Sequence, residues 1–190
     1  LLKNLCRFDL GLSIRERGRS VNDIIRNTFP VSALLGVEAL VFAVTVGLTL
    51  GIIASLHRGK ALDYTAIIIA IVGVSIPNFV VASVLQYVVG YKLNLLPIAR
   101  WESFKHTILP AFALGLGTLA TMTRMMRSSM LEVLSQDYIR TAKAKGLSSA
   151  QIVWRHGVRN AILPIVTILG PLIASITTGT LVIERMFGIP

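Results

Sequence analysis

Ala33-Leu34-Leu35-Gly36-Val37-Glu38-Ala39-Leu40-Val41-Phe42-Ala43-Val44-Thr45-Val46-Gly47-Leu48-Thr49-Leu50-Gly51-Ile52-Ile53-Ala54-Ser55 is a run of 23 residues with a single charge, Glu38. Apolar runs longer than about 18 residues read as membrane-spanning helices. The run ends at the basic turn His57-Arg58-Gly59-Lys60. Tyr64 to Val89 follows, 26 residues without a charge, interrupted near its middle by Ser75-Ile76-Pro77-Asn78. The proline predicts a kink and a freed backbone carbonyl, tolerated where neighbouring helices or a watery cavity cover it. A third span is expected over about 107–126; its apolar part, Thr107 to Thr123, carries Pro110, Gly115 and Gly117 and is stopped by Arg124 and Arg127. Ala161 to Ile183 reads as the fourth, uncharged, with Pro164, Gly170, Pro171 and Gly179. The pattern predicts an all-α polytopic transmembrane helix bundle.

Composition agrees. The chain is 54% hydrophobic with a mean hydropathy of +0.72, and 15% of its residues are charged, against about 25% in soluble domains. Those charges sit in blocks between the apolar runs. The net charge of +10 raises nucleic acid as a partner, but basic clusters beside spans fit a lipid surface. Cys6 is the only cysteine, so no disulfide forms within the chain. Leu1 at the start and Phe187-Gly188-Ile189-Pro190 at the end read as a fragment missing both ends. Residues 1–32 form a polar segment with Arg15, Arg17, Arg19 and Arg26, and Val21, Ile24, Ile25 and Phe29 give it an amphipathic stretch before Pro30, expected to lie along the bilayer interface.

Four spans place residues 1–31, 91–106 and 184–190 on one face, and 57–63 and 124–160 on the other. Lys and Arg total ten on the first face and nine on the second, so the totals do not orient the chain. The positive-inside rule applies to short loops near span ends. Among loops bounded by spans at both ends the comparison is three against nine, which puts 57–63 and 124–160 in the cytoplasm and residues 1–32 outside it.

The loop 127–160 is too long for a simple connection, which in helical bundles runs about 2 to 8 residues. Asp137-Tyr138-Ile139-Arg140-Thr141-Ala142-Lys143-Ala144-Lys145 has acid at its start, base at its end and Gly146 as its stop, the charge order of a capped helix. Ser148, three before Gln151, predicts a capping box that opens a second helix through Trp154 to about Asn160. Helix, glycine turn, helix also describes a DNA-binding motif, but flanking spans leave no room for a duplex. A paired-helix elbow suits insertion into a cleft of a soluble partner.

Arg140-Thr141-Ala142-x-x-x-Gly146 resembles the Glu-Ala-Ala-x-x-x-Gly loop of permease subunits of binding-protein-dependent ATP-binding-cassette importers. The wider string Gln136 to Leu147, with Arg155-His156-Gly157-Val158-Arg159-Asn160-Ala161-Ile162-Leu163-Pro164, is similar to the dipeptide, oligopeptide and nickel branch. Phe8-Asp9-Leu10-Gly11-Leu12-Ser13, Gly73-x-Ser75-Ile76-Pro77-x-Phe79, His106-x-Ile108-Leu109-Pro110-Ala111, Arg127-x-Ser129-Met130-Leu131-Glu132 and Glu184 to Pro190 extend the resemblance. There are two departures: Arg140 stands where the wider family has Glu, and Val158-Arg159 where it has Leu-Pro.

The resemblance implies a type I importer permease of six core spans, of which these would be the second to the fifth. It implies that the elbow, through Asp137, Tyr138, Arg140, Thr141, Ala142, Lys143, Lys145, Gly146, Arg155, His156, Arg159 and Asn160, docks an ATPase subunit. It also implies a second permease subunit, two such ATPases and an extracytoplasmic solute-binding protein, with ATP and magnesium on the ATPases and no cofactor on this chain. The membrane would be the plasma (inner) membrane and the cargo di- or oligopeptides, with nickel or another small solute as the alternative.

The residues themselves fit that division of labour. No Gly-x-x-x-x-Gly-Lys-Ser/Thr loop occurs, and His57, His106 and His156 fall in three separate loops, an arrangement unlike a metal site. Candidate pathway residues are Glu38, an ionisable group within a span, then Ser75, Pro77 and Asn78 at the kink, and Gln86. A channel or carrier working without an ATPase predicts intramembrane charge pairs, and for these only Glu38 is at hand.

Overall fold

The computed structural model describes residues 10–14, 18–178 and 181–189, with only the backbone of 177 and 178. Arg15, Arg17, Phe8, Asp9, Gly179 and Pro190 therefore lie outside the described residues. Among the described residues the chain is helical, with no strand beyond the isolated bridge between Leu12 and Ser20. We number the helices α1 (Val21–Leu56), α2 (Ala61–Ser75), α3 (Asn78–Lys92), α4 (Lys105–Leu134), α5 (Asp137–Ala144), α6 (Ser149–Ala161), α7 (Leu163–Thr178) and α8 (Leu181–Phe187).

α1 begins at Val21 rather than Ala33. Ser20 caps it by accepting from the Asn22 N–H, Asp23 stands in the first turn, and the helix passes through Pro30 without ending. The amphipathic stretch is thus the first turns of the span and not a separate helix along the interface. At about 1.5 Å per residue, its 36 residues cover about 54 Å, well beyond the roughly 30 Å hydrocarbon core.

α4 is the central element. It shares its most extensive contact with α1, and the reason is a row of small residues. Ala39, Ala43, Gly47 and Gly51, one per turn, are all buried, which lets the backbones approach closely. A Cβ added at Gly47 would stand 2.8 Å from the Leu119 carbonyl oxygen, one at Gly51 2.7 Å from that of Thr123, and one at Gly115 2.8 Å from that of Ala39. Residue numbers rise together along both helices, so α1 and α4 run parallel. The chain between them must therefore return to the side on which it began.

The bent pair α2 and α3 makes that return. It turns by 105° between Ala61–Ser75 and Asn78–Lys92, far more than the kink expected of one proline in a single rod. Asp63 lies at Arg127, Gly73 at Ala120 and Leu116, and Asn78 at Gly117, an order opposite to that of α4. Pro77 removes the donor for the Gly73 carbonyl, and that oxygen lies toward Gly117. A glycine here leaves room for a carbonyl released from its helix.

α4 itself does not stop at Arg124 or Arg127 but continues to Leu134. Its arginine at 127 is neutralised by Asp63, so the charge does not break the helix. The fourth apolar run is also divided. α6 and α7 meet at a 45° bend just before Pro164, and α8 follows as a separate short helix at the far end. Ala161 and Ile165 pack with Met122, Met126 and Met130, whereas Ile176 packs with Leu35 and Leu109, so α7 runs antiparallel to α4.

By length and composition α1 and α4 can each cross a membrane, and the two bent pairs bring the count to four if each is one span. The parallel α1 and α4 support counting the first pair as one. Val41, Ile68, Ile71 and Val166 point outward, as apolar side chains facing lipid do. One end of the bundle carries the turn after α1 and the helices α5 and α6. At the other end the 93–104 connection meets α8, where the Arg100 N–H donates to the Phe187 carbonyl at 2.8 Å.

Candidate coupling site and family

Helix α5 has an internal reason to fold. Ile139 and Ala142 on one face meet Ile152 of α6, with Leu134 and Leu147 packed around them. The first arm ends as its sequence predicts: Gly146 has φ +79°, a left-handed conformation that costs glycine little. The Gly146 N–H donates to the Lys143 carbonyl at 2.9 Å and the Leu147 N–H to the Ala142 carbonyl at 3.3 Å, the paired bonds of a Schellman stop. Ser148 and Gln151 then form a full capping box, with the Gln151 N–H donating to Ser148 Oγ and the Ser148 N–H to Gln151 Oε1.

The second arm holds a feature the sequence did not signal. Ile152–Val158 winds as a π-helix, wider than an α-helix by one residue per hydrogen-bonded ring. Within it Gly157 is buried against α4: a Cβ there would meet Met130 Cε at 3.3 Å and Leu134 Cδ2 at 3.5 Å. The elbow is thereby fixed to the end of α4. Its two arms are also tied to each other, because Asn160 Nδ2 donates to the Tyr138 hydroxyl at 3.1 Å and to the His156 carbonyl at 3.0 Å.

Of the residues expected at the docking surface, Asp137, Tyr138, Arg140, Thr141, Lys143, Lys145, Gly146, Arg155, Arg159 and Asn160 are exposed, and His156 is half-buried. Ala142 is not at that surface. It is 7% exposed and belongs to the elbow's own core, so its small side chain serves packing rather than contact. Arg140 lies 3.4 Å from Asp137 with both side chains largely in solvent, a pair that contributes little to stability. Trp154, passed over in sequence as one apolar position of the second helix, is 64% exposed. Beside Arg155, this large indole is open to a partner.

The five pathway candidates do not form one site. Glu38 is half-buried at the end of the bundle opposite the elbow. There it lines a cavity of about 410 Å³ with Val41, Phe42, Phe104 and Phe112, and a second of about 310 Å³ with Trp101 and Glu102. Neither cavity is lined by Ser75, Pro77, Asn78 or Gln86. Ser75 is exposed and its hydroxyl donates to the Ile71 carbonyl, while Pro77 and Asn78 form the break itself. Gln86 has a structural task, donating from Nε2 to the carbonyls of Ile98 at 3.1 Å and Met186 at 2.9 Å. It joins α3, the 93–104 connection and α8.

Sequence reading also passed over Asp63, which is 2% exposed. Its carboxylate accepts from Nε and Nη2 of Arg127, the latter at 2.8 Å, and from the Gly59 N–H at 2.9 Å. A carboxylate in apolar surroundings holds its charge only with such partners.

Residues 47–190, which include the whole elbow and all helices from α2 onward, match the model of the binding-protein-dependent transport system inner membrane component family. A dipeptide transport system permease protein of Bacillus subtilis is 51% identical over 189 residues, covering 100% of this chain and 61% of the relative. An oligopeptide transport system permease protein of Haemophilus influenzae is 43% identical over 191 residues, covering 62% of the relative. A dipeptide transport system permease protein of Lactococcus lactis is 37% identical over 182 residues, covering 60% of the relative. The chain thus spans about three fifths of the length of the curated relatives it matches. With its apolar helices and its capped elbow on the end of α4, the chain belongs to the binding-protein-dependent transport system inner membrane components, as a multi-pass protein of that membrane.

Proposed function

We propose that this chain is the translocating part of a permease subunit in an ATP-driven importer of di- or oligopeptides. The observation that carries the proposal is the elbow: two capped helices with their own core, fixed to α4, presenting Trp154 and a set of basic residues at one end of the bundle. In this reading that end is cytoplasmic and seats in a groove of an ATP-binding-cassette ATPase. ATP and magnesium bind there and hydrolysis occurs there, not on this chain, which contributes no cofactor site. A second permease subunit completes the pathway, two ATPases drive it, and an extracytoplasmic solute-binding protein delivers cargo at the end near Glu38. The dipeptide and oligopeptide permeases that it resembles support peptides as the cargo class.

Trp154→Ala in the full-length permease tests the docking reading. An exposed aromatic anchor at the centre of an interface is worth about 2 kcal/mol or more, so co-purification with the ATPase should weaken by roughly 30-fold. The melting temperature should not move, since the side chain supports little of the fold. Undiminished recovery of the ATPase would remove Trp154 from the interface and the main support for this docking face.

A further inference from the structure

We propose that the Asp63–Arg127 pair is the mechanical link by which displacement of the elbow reaches the bend between α2 and α3. The proposal rests on the coupling role given above to the elbow.

Three observations carry it. The first is that the elbow packs onto the same unbroken helix that carries Arg127. Leu134 packs into the elbow core, Gly157 lies against Met130 and Leu134, and α4 is unbroken from Arg127 to Leu134. A push on the elbow therefore displaces the Arg127 guanidinium.

The second concerns what holds α2. Its buried residues are Asp63, Ala66, Ala70 and Gly73, and three of these four are small and apolar. A row of alanines and glycine lets α2 approach α4 closely but makes no directional bond to it. Asp63 supplies that bond through two oxygens and two guanidinium donors, in the planar fork geometry that fixes orientation as well as distance. Among the described residues no other ion pair joins two helices of the bundle. The Gly59 N–H on the same carboxylate also brings the turn after α1 into the linkage.

The third is what lies at the far end of α2. Ser75 to Asn78 is the 105° break, where Pro77 has removed a helical hydrogen bond and Gly117 leaves room beside the freed Gly73 carbonyl. Hinges absorb motion at such element ends. Arg127 pulling on the start of α2 would thus change the angle at a break that is already built for change.

Cysteine reporters in the full-length transporter, assembled in membrane vesicles, distinguish this from a merely structural ion pair. Ser149→Cys, at an exposed elbow position outside the expected docking set, reports on the elbow and Ser75→Cys on the bend, each by its rate of labelling with a polar maleimide before and after ATP. With the native pair, both rates should change on ATP addition. With Asp63→Asn or Arg127→Gln, the elbow reporter should respond as before, whereas the response at the bend should fall at least fivefold. An unaltered response at the bend overturns the proposal. Should either variant fail to assemble, Arg127→Lys, which keeps the charge without the fork, decides: a reduced response at the bend supports the link, and a native one overturns it. No ATP response at Ser149→Cys in the otherwise native transporter would instead count against the coupling role of the elbow.

Discussion

Gly51→Leu is expected to abolish the native bundle, seen as loss of a cooperative melting transition in detergent and as failure to accumulate in the membrane. The reason is geometric. A Cβ at position 51 would stand 2.7 Å from the Thr123 carbonyl oxygen, 2.7 Å from Met126 Cβ and 3.0 Å from the Arg127 backbone nitrogen. Two of those atoms are backbone, so no rotamer change relieves them, and α1 would have to leave α4. Overpacking a core typically costs about 1–3 kcal/mol, and more where backbone must shift. Here the displaced contact is the most extensive between helices among the described residues and adjoins the Asp63–Arg127 pair, so we expect the upper end or beyond. Gly170→Ala is the matched control, because a Cβ there meets nothing within 4 Å. It should melt within a degree or two of the parent.

Ile139→Asp is expected to abolish transport while leaving the bundle intact. Ile139 is 1% exposed in the small core that α5, α6 and Leu134 share. An unpaired carboxylate placed there costs several kcal/mol, and a core of so few side chains has little reserve. The elbow should open, whereas α1 and α4 pack at a different place, through their own small residues. The expected result is a fall in ATP-driven uptake of a dipeptide by at least 100-fold, with the melting of the bundle shifted by only a few degrees. The surface variant Lys143→Ala, on an exposed position of the same helix, separates loss of the elbow's fold from loss of a single contact and should cost less than tenfold.

Much of this architecture is legible in sequence because the membrane imposes length and apolarity on each crossing. The elbow is legible too, since Gly146, Ser148 and Gln151 act on their immediate neighbours and need no tertiary partner. What the sequence hides are effects that depend on distant residues. Arg127 looks like the end of a span until Asp63, 64 positions away, takes its charge into the bundle. Pro30 and Pro77 look alike as helix breakers, yet the helix continues through the first and turns by 105° at the second. The freed Gly73 carbonyl and the space at Gly117 are visible only once α2 lies against α4. Ala142 matches a loop motif, but whether it faces a partner or a core follows from the position of Ile152. Gln86 and Glu38 are both polar groups in apolar runs; one holds three segments together and the other lines a cavity, a difference set by packing alone.

On the proposed function, the elbow is the surface through which an ATPase drives this permease. Placing a photo-reactive side chain at Lys145, exposed at the end of α5, in the full-length permease within native membranes tests it most directly. The expected result is a crosslink to the ATPase subunit whose yield changes on ATP addition, and none from the same group at Glu102 at the other end of the bundle. A crosslink to the ATPase from Glu102 and none from Lys145 would contradict it.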